Sequence, residues 1–173
     1  MAYKRFETER LKIRPANEED ASFYLELLNS PKWIKYVGKR DVKTEEEAQQ
    51  YIRDKMMSQL ERLGYSNYTI IRKEDDEKIG CCGLYDREGL DGVDIGFALL
   101  TAYEKRGYAL EAATAIKEAA INEFGIQKLK AITIKENTAS QKLLEKLGLR
   151  YVKAIKIAAD AEEVMLYELP RDC

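Results

Sequence analysis

Hydrophobic and polar residues alternate along this chain with two periods, which predict strands and helices. Segment 10–14 alternates charged and apolar side chains, as a strand with one solvent face does. Segment 108–124 places its alanines at helical spacing, which favours a helix packed closely on a sheet. Strands are predicted at 10–14, 68–71, 79–85, 93–100, 129–135, 151–157 and 164–169, and helices at 18–28, 44–63, 108–124 and 138–147.

Start and stop signals bound the first two helices. Asn17 is predicted to cap the first helix, and Asn29-Ser30-Pro31 to end it. Thr44 with Glu47 forms a capping-box pattern that opens the second, and segment 31–43 between them is predicted to be irregular. The order β-α-α-β-β-β-α-β-α-β-β predicts a mixed α/β fold with hairpins and crossovers. All 173 residues are expected to form one domain.

The strand predicted at 93–100 has two contrasting faces. Alternation places large apolar side chains on one face, and Asp94 with the small residues Gly96 and Ala98 on the other. The small face is expected to leave room for a ligand beside the strand, with Asp94 projecting to that same side.

The amino-acid composition and net charge exclude some classes of function. The chain is 45% hydrophobic and 35% charged, typical of a globular domain, and its 29 basic and 31 acidic residues give a net charge of −2. This nearly neutral net charge gives no basic surface for a nucleic-acid backbone, so any anionic ligand must be bound by a local group of residues. The amino terminus lacks the apolar core of a signal peptide, and no apolar run approaches a membrane span. We therefore expect a cytoplasmic protein.

The absence of histidine removes several mechanisms. A Ser-His-Asp triad, a Cys-His pair and a Cys/His zinc site are excluded, and Cys81, Cys82 and Cys173 do not suggest a metal cluster. We expect Cys81 and Cys82 to pack in the core rather than to act as nucleophiles. Proton transfer must then use a carboxylate, Tyr, Lys, Ser, Cys or water.

A strand-to-helix junction at 103–112 is the first candidate binding site. Gly107 and Ala109 are small residues where the helix begins, so an anion can approach the backbone N–H groups at the positive end of the helix dipole. Lys105 and Arg106 add positive charge there. The spacing is neither a Walker A loop nor G-x-G-x-x-G. On this stretch alone, an ordinary turn with Gly107 near the N-cap is an equally good interpretation.

A second strand-to-helix junction follows the next strand. Asn137 and Ser140 place polar groups there. Taken singly, Asn137 is better explained as a helix cap and Ser140 as a solvated residue of the first helical turn. Together, the two junctions could line the two sides of one cleft.

Four motifs in a fixed order make the sequence resemble one family. They are Asp94-Ile95-Gly96-Phe97-Ala98-Leu99, Arg106-Gly107-Tyr108-Ala109-Leu110-Glu111-Ala112, Asn137-Thr138-Ala139-Ser140 and Leu144-Glu145-Lys146-Leu147-Gly148-Leu149. The chain resembles the GNAT acetyltransferases, and among them the RimJ/RimL-like branch, which includes ribosomal-protein N-terminal acetyltransferases. The likeness runs from Glu9 onward and is strongest from Val93 to Tyr151. It implies a single-domain GNAT fold of the α+β type, with about seven strands splayed in the middle and about four helices.

The resemblance also implies acetyl-CoA as cofactor, CoA as product and no metal. The pyrophosphate would lie on the backbone amides of loop 104–109, and the pantetheine arm would pair with the main chain of 97–99. Asn137 would contact the pantetheine, with Ser140 nearby. The implied cofactor-binding residues are Phe97, Ala98, Leu99, Glu104, Lys105, Arg106, Gly107, Tyr108, Ala109, Asn137 and Ser140.

Three positions depart from the family pattern. Glu104 replaces the usual Gln or Arg, which puts a negative charge near the pyrophosphate unless the side chain points into solvent. Lys105 stands where the branch often has Gly. Either change would weaken cofactor binding unless backbone contacts dominate or Arg106 compensates. Leu144 replaces a tyrosine that serves the leaving thiolate in many members, so we assign that role to Ser140.

Asp94 is the candidate general base. A carboxylate buried at the cleft would have a raised pKa and could take the amine proton, directly or through a water. A turn-proximal or capping role for Asp94 is an equally weighted alternative. The candidate acceptor-binding residues are Trp33, Tyr36 and Tyr85, although aromatic residues at such positions more often belong to the core.

The sequence therefore predicts an acetyl-CoA-dependent N-acetyltransferase that acts by direct transfer in a ternary complex. Its acceptor would be a primary amine, either a protein N-terminus or a small molecule. The alternatives are a CoA-binding sensor or scaffold without catalysis, and an α/β protein that binds another phosphate ligand. The sequence specifies no oligomeric state, and a homodimer would be unsurprising.

Overall fold

The computed structural model describes residues 3–170, so Met1, Ala2 and Cys173 lie outside the described residues. The strands are β1 (Phe6–Glu7), β2 (Leu11–Pro15), β3 (Asn67–Arg72), β4 (Glu77–Tyr85), β5 (Val93–Leu99), β6 (Leu129–Thr133), β7 (Arg150–Ile155) and β8 (Val164–Glu168). They form one eight-stranded sheet in the order β1-β2-β3-β4-β5-β6-β8-β7. The chain is therefore a mixed α/β fold built on one sheet.

Strands β5 and β6 diverge in the middle of this sheet. They are parallel and pair at two positions, Val93 with Leu129 and Asp94 with Lys130, although β5 continues to Leu99. Every other neighbouring pair of described strands runs antiparallel. The prediction of a sheet splayed in the middle is confirmed. Beyond Asp94, the β6 side of the β5 main chain has no strand partner.

Five helices lie along the sheet within the described range. They are α1 (Ala21–Leu28), α2 (Pro31–Tyr36), α3 (Glu45–Tyr51), which continues through a π-helical segment (Ile52–Met57) into α4 (Ser58–Leu63), α5 (Tyr108–Asn122) and α6 (Thr138–Lys146). Asn17 caps the 3₁₀ turn that leads into α1, as predicted, by accepting a hydrogen bond from the Glu19 N–H at 2.9 Å. Each of these helices is too short or too polar to cross a membrane.

Two short elements were not predicted, so the counts of seven strands and four helices were each one too low. Strand β1 pairs only two residues with β2, too few to show a period. Helix α2 lies in segment 31–43, which was predicted to be irregular. It forms because Ser30 accepts from the Trp33 N–H, while Pro31 takes the first helical turn, where its missing N–H costs nothing. Ser30-Pro31 thus ends one helix and starts the next.

The sheet separates two apolar cores. On one face, Ile95 and Cys82 pack with α5 residues such as Ile116, and with α6. On the other face, Cys81 packs with α1 and α3 residues that include Leu27. The adjacent cysteines thus enter different cores as buried free thiols, as expected for packing residues. The splayed gap between β5 and β6 opens between these two layers of helices.

Candidate functional site

A cavity of about 480 Å³ opens where β5 loses its pairing with β6. It lies between α2, the end of β5, the start of α5 and the start of α6. Most residues predicted for the site line it: Trp33, Tyr36, Phe97, Ala98, Leu99, Glu104, Lys105, Gly107, Tyr108, Ala109, Asn137 and Ser140. The structure therefore brings the two strand-to-helix junctions to one cavity, whereas Asp94, Arg106 and Tyr85 lie outside its lining.

The cavity follows the open edge of β5. Phe97, Ala98 and Leu99 all line it, although consecutive strand residues point to opposite faces of a sheet. What these residues share is the strand edge, where the main chain has no partner from β6. Backbone N–H and C=O groups left free in this way can pair with an extended ligand.

The space expected beside Gly96 is already filled. A Cβ at Gly96 would lie 3.0 Å from the Tyr85 ring, so this tyrosine covers the small face of β5. The expectation that a ligand runs along that face is therefore wrong at Gly96, because the neighbouring strand supplies an aromatic side chain there. Ala98, further along the same face, does reach the cavity.

The loop before α5 has the backbone shape of an anion site. Lys105 and Gly107 have left-handed backbones, with φ of 62° and 83°. Gly107 is the N-cap of α5 and makes no side-chain cap, whereas α2, α3 and α6 begin on the side chains of Ser30, Thr44 and Asn137. The first-turn residues of α5 line the cavity, and their N–H groups have no capping side chain at the positive end of the helix dipole.

Two features of the described structure favour glycine at 107. A Cβ there would meet the Arg10 guanidinium, with 3.3 Å to Nη2. The left-handed φ favours glycine independently. The small residue at 107 thus serves backbone conformation and the approach of Arg10, which the sequence pattern did not indicate.

Glu104 does not point freely into solvent. Its carboxylate forms an ion pair with Lys32 of α2, and its side chain is 21% exposed. This contact neutralises the charge that departs from the family pattern. Arg106, expected to compensate for Glu104, is exposed, and its carbonyl accepts a hydrogen bond from Arg10.

Asn137 and Ser140 lie together on the other wall of the cavity. The Asn137 Oδ1 atom accepts from the Ser140 N–H at 3.2 Å, so the capping interpretation of Asn137 is confirmed. Capping uses only the oxygen of this amide. The Asn137 Nδ2 group and the Ser140 hydroxyl have no hydrogen-bond partner within residues 3–170, and both residues line the cavity.

Asp94 occupies the last paired position of β5, where the two strands begin to diverge. It is 2% exposed, and its Oδ2 accepts from Arg87 Nε at 2.9 Å. Burial raises the pKa of Asp94 to about 6, and the nearby Arg87 guanidinium limits that rise. The backbone N–H of Ile132, on β6, also stabilises the charged form. Asp94 is thus a buried carboxylate that titrates near neutral pH.

Among the three aromatic acceptor candidates, Trp33 and Tyr36 line the cavity from α2, and Tyr85 does not. The Tyr85 hydroxyl donates to Asn67 inside a buried polar network. The Trp33 Nε1 group is buried without a partner in the described structure, which leaves a donor for a ligand.

Several lining residues were not predicted from the sequence, because α2 was not predicted and the recognised motifs lie on the other side of the cavity. They include Leu27, Lys32, Val37, Lys142 and Lys146. The N-cap serine followed by proline at 30–31 was the signal for α2. Lys142 and Lys146 lie one helical turn apart, a spacing that puts two positive charges on one face of α6.

Comparison with known proteins gives one consistent result. The family model described as "Acetyltransferase (GNAT) domain" matches residues 10–150. The chain is 31% identical over 144 residues to p20 of Bacillus licheniformis, an uncharacterized N-acetyltransferase, with 82% of this chain and 79% of that protein covered.

Two solved structures show the same fold. An acetyltransferase from Agrobacterium tumefaciens superposes with a TM-score of 0.83 at 23% identity, over 99% of this chain and 96% of that one. RimL, a ribosomal L7/L12 alpha-N-protein acetyltransferase solved in complex with coenzyme A, gives a TM-score of 0.78 at 18% identity, over 95% and 97%.

Proposed function

Because the chain belongs to the GNAT family of acetyltransferases and is thus an acyltransferase, we propose that it transfers the acetyl group of acetyl-CoA to a primary amine. The observation that carries this proposal is the N-terminus of α5. Its first-turn amides lack a side-chain cap and border a cavity that follows the free edge of β5. A pyrophosphate suits the first feature, and an extended arm with amide groups suits the second.

The residues present fit this cofactor on both walls of the cavity. The amides after Gly107 would hold the pyrophosphate, and Lys105, Lys142 and Lys146 supply positive charge around it. The main chain at 97–99 would pair with the pantetheine amides, and the Asn137 Nδ2 group is a free donor on the opposite side. The ion pair of Glu104 with Lys32 removes the main electrostatic objection to a phosphate at this loop.

Acetyl-CoA supplies an activated thioester, and the chain supplies sites for the protons. In direct transfer the amine nitrogen bonds to the carbonyl carbon as the carbon–sulfur bond breaks, and the amine loses a proton. Asp94 would take that proton on its carboxylate, relayed by water because it lies outside the cavity lining. The Ser140 hydroxyl would donate a hydrogen bond to the departing sulfur.

The acceptor amine would enter beside α2. Trp33 and Tyr36 offer aromatic surface, and the unpaired Trp33 Nε1 offers a hydrogen bond. These contacts suit either a protein N-terminus or a small-molecule amine. The buried thiols of Cys81 and Cys82 have raised pKa values because of burial, which supports direct transfer over an acetyl-cysteine route.

A thiol-release assay tests the proposal. The purified protein is incubated with acetyl-CoA and a panel of amines that includes short peptides with free N-termini, diamines and aromatic amines. Free CoA must appear at a rate that depends on one class of amine and that falls in the Asp94→Asn variant. If acetyl-CoA binds but no amine class supports turnover, the chain is instead a CoA-binding sensor or scaffold.

A further inference from the structure

One arginine outside the cavity contacts three consecutive residues of the loop that would hold the pyrophosphate. Arg10 lies in the turn between β1 and β2. Its Nη1 donates to the Arg106 carbonyl at 2.9 Å, and its guanidinium stacks on the Tyr108 ring, with 4.3 Å from Cζ to the ring centroid. Between them, Gly107 lets Nη2 approach to 3.3 Å of the position that a Cβ would occupy.

Arg10 is itself held by the helix that this loop starts. The Glu111 carboxylate, in the first turn of α5, accepts from the Arg10 N–H at 2.9 Å, from Arg10 Nε at 2.7 Å and from the Thr8 hydroxyl at 2.5 Å. Burial raises the pKa of Glu111, but these hydrogen bonds outweigh it and leave the pKa lowered. The turn from Thr8 to Leu11 is closed by its own backbone hydrogen bond at 2.9 Å. The Arg10 main chain and its guanidinium are therefore both held by hydrogen bonds.

The hydrogen bond to Arg106 determines which way the next amide points. A trans peptide holds its C=O and N–H on opposite sides of one plane. With the Arg106 carbonyl turned toward Arg10, the Gly107 N–H is turned away from Arg10, and Gly107 itself lines the cavity. Contact with Tyr108 and Glu111 orients the first turn of α5 in the same way.

We propose that Arg10 is a positioning residue that presents the amides of loop 104–109 to the pyrophosphate, an inference that rests on the proposed use of acetyl-CoA. Arg10 lies outside the cavity lining, so it would act on the cofactor through the loop. Its guanidinium acts as a fork that fixes the loop from behind, and lysine cannot reproduce the fork because it has one nitrogen and no planar face.

The test separates loop positioning from general damage to the fold. Calorimetry measures the Kd of acetyl-CoA, and a chemical-shift titration measures the Kd of S-acetylpantetheine, which lacks the pyrophosphate. Arg10→Ala should raise the Kd of acetyl-CoA by about tenfold or more, since it removes a charge-assisted hydrogen bond to the loop. The Kd of S-acetylpantetheine should change by less than about twofold, because its contacts lie on β5 and α6. Arg10→Lys should recover part of the loss.

Two further variants keep the test decisive. Glu111→Gln should weaken acetyl-CoA binding in the same selective way, and it stands in for Arg10→Ala if that protein does not fold. Lys12→Ala, in the adjacent strand β2 and paired in the described part of the chain with the exposed Asp76, should bind both ligands like the wild type. Unchanged acetyl-CoA binding in Arg10→Ala, or an equal loss for both ligands, would overturn the positioning role. If the wild type binds S-acetylpantetheine but not acetyl-CoA, or neither, the proposed function fails and this inference fails with it.

Discussion

Lys32 on α2 and Glu104 at the start of loop 104–109 both line the cavity and form an ion pair with each other. The two residues are 72 positions apart in the chain, and they join the helix expected to meet the acceptor to the loop expected to hold the cofactor. The pair would explain how an acidic residue is tolerated next to the proposed pyrophosphate site. Its charge is already satisfied by a lysine on the opposite wall.

This pairing predicts that Lys32 and Glu104 affect cofactor binding jointly. Lys32→Ala should raise the KM for acetyl-CoA by about fivefold, because it exposes the ligand to the unpaired carboxylate of Glu104. Glu104→Gln in the same protein should restore most of the affinity. Steady-state kinetics of the two single variants and the double variant form the cycle, and additive effects would show that the pair is not coupled.

Lys105 predicts a test of loop conformation. Its left-handed φ of 62° is the conformation that the family pattern gives to glycine. Lys105→Gly and Lys105→Ala remove the same charge, but only alanine keeps the strain of a Cβ. We expect the glycine variant to be more stable than the alanine variant by about 1 kcal/mol. Denaturant unfolding of both proteins measures the difference, and equal stabilities would contradict the strain.

Asp94 predicts a pH dependence with a definite sign. Its carboxyl must be ionised to accept a proton, so the rate should fall as the pH drops through about 6, the pKa that burial produces. Asp94→Asn should lower kcat by about a hundredfold and abolish this acidic limb. Arg87→Ala should move the limb to higher pH, because Arg87 favours the charged form. If the acidic limb of the pH–rate profile is unchanged in both variants, it belongs to a titrating group other than Asp94.

The same pKa has a consequence for folding. The folded-state pKa of Asp94 lies above the usual aspartate value of 3.8, so between these two pH values the folded state binds more protons than the unfolded chain. Stability contributed by this group is present at low pH and lost as the pH rises through about 6. Asp94→Asn should therefore unfold at pH 7 no more easily than the wild type, and a clear loss of stability would contradict this.

Asp20 should behave in the opposite way. It is fully buried, and burial alone would raise its pKa, but hydrogen bonds from Arg14 and Lys78 lower it to about 2. Its stabilising contribution is present above about pH 4 and is lost as the pH falls through about 2.

Asp20→Asn is expected to cost about 3–5 kcal/mol at pH 7, because it leaves Arg14 without its partner. Asp76→Asn, at a carboxylate that is 75% exposed, is the matched control and should change stability by less than about 0.5 kcal/mol. Equal effects in the two variants, measured by denaturant unfolding, would show that the Asp20 pair contributes nothing.

Sequence patterns predicted the elements whose period is long enough to be recognised. Strand β5 and helix α5 follow their alternation closely, and the splay between β5 and β6 followed from the family resemblance. The two-residue β1 and the six-residue α2 are too short for a period. α2 had a start signal at Ser30-Pro31, but that signal was assigned to the end of the preceding helix.

Contacts between distant residues could not be predicted from local pattern. The sequence near Gly96 does not show that Tyr85 covers this glycine. The sequence near Gly107 does not show that Arg10 approaches it. Both contacts depend on how strands and turns far apart in the chain are placed by the sheet. The cavity-lining residues of loop 104–109 could be predicted because one continuous segment carries them, whereas the Lys32–Glu104 and Arg10–Glu111 pairs could not.

Binding of acetyl-CoA measured by calorimetry tests the central claim most directly. The wild type should bind acetyl-CoA and CoA with micromolar Kd and should bind ATP more weakly. Gly107→Val should lose acetyl-CoA binding. Gly125 is also left-handed, with φ of 63°, but has no atom within 4 Å of its Cβ position, so Gly125→Val should retain binding. No heat of binding with acetyl-CoA or CoA in the folded wild-type protein would contradict the claim that this cavity is a cofactor site.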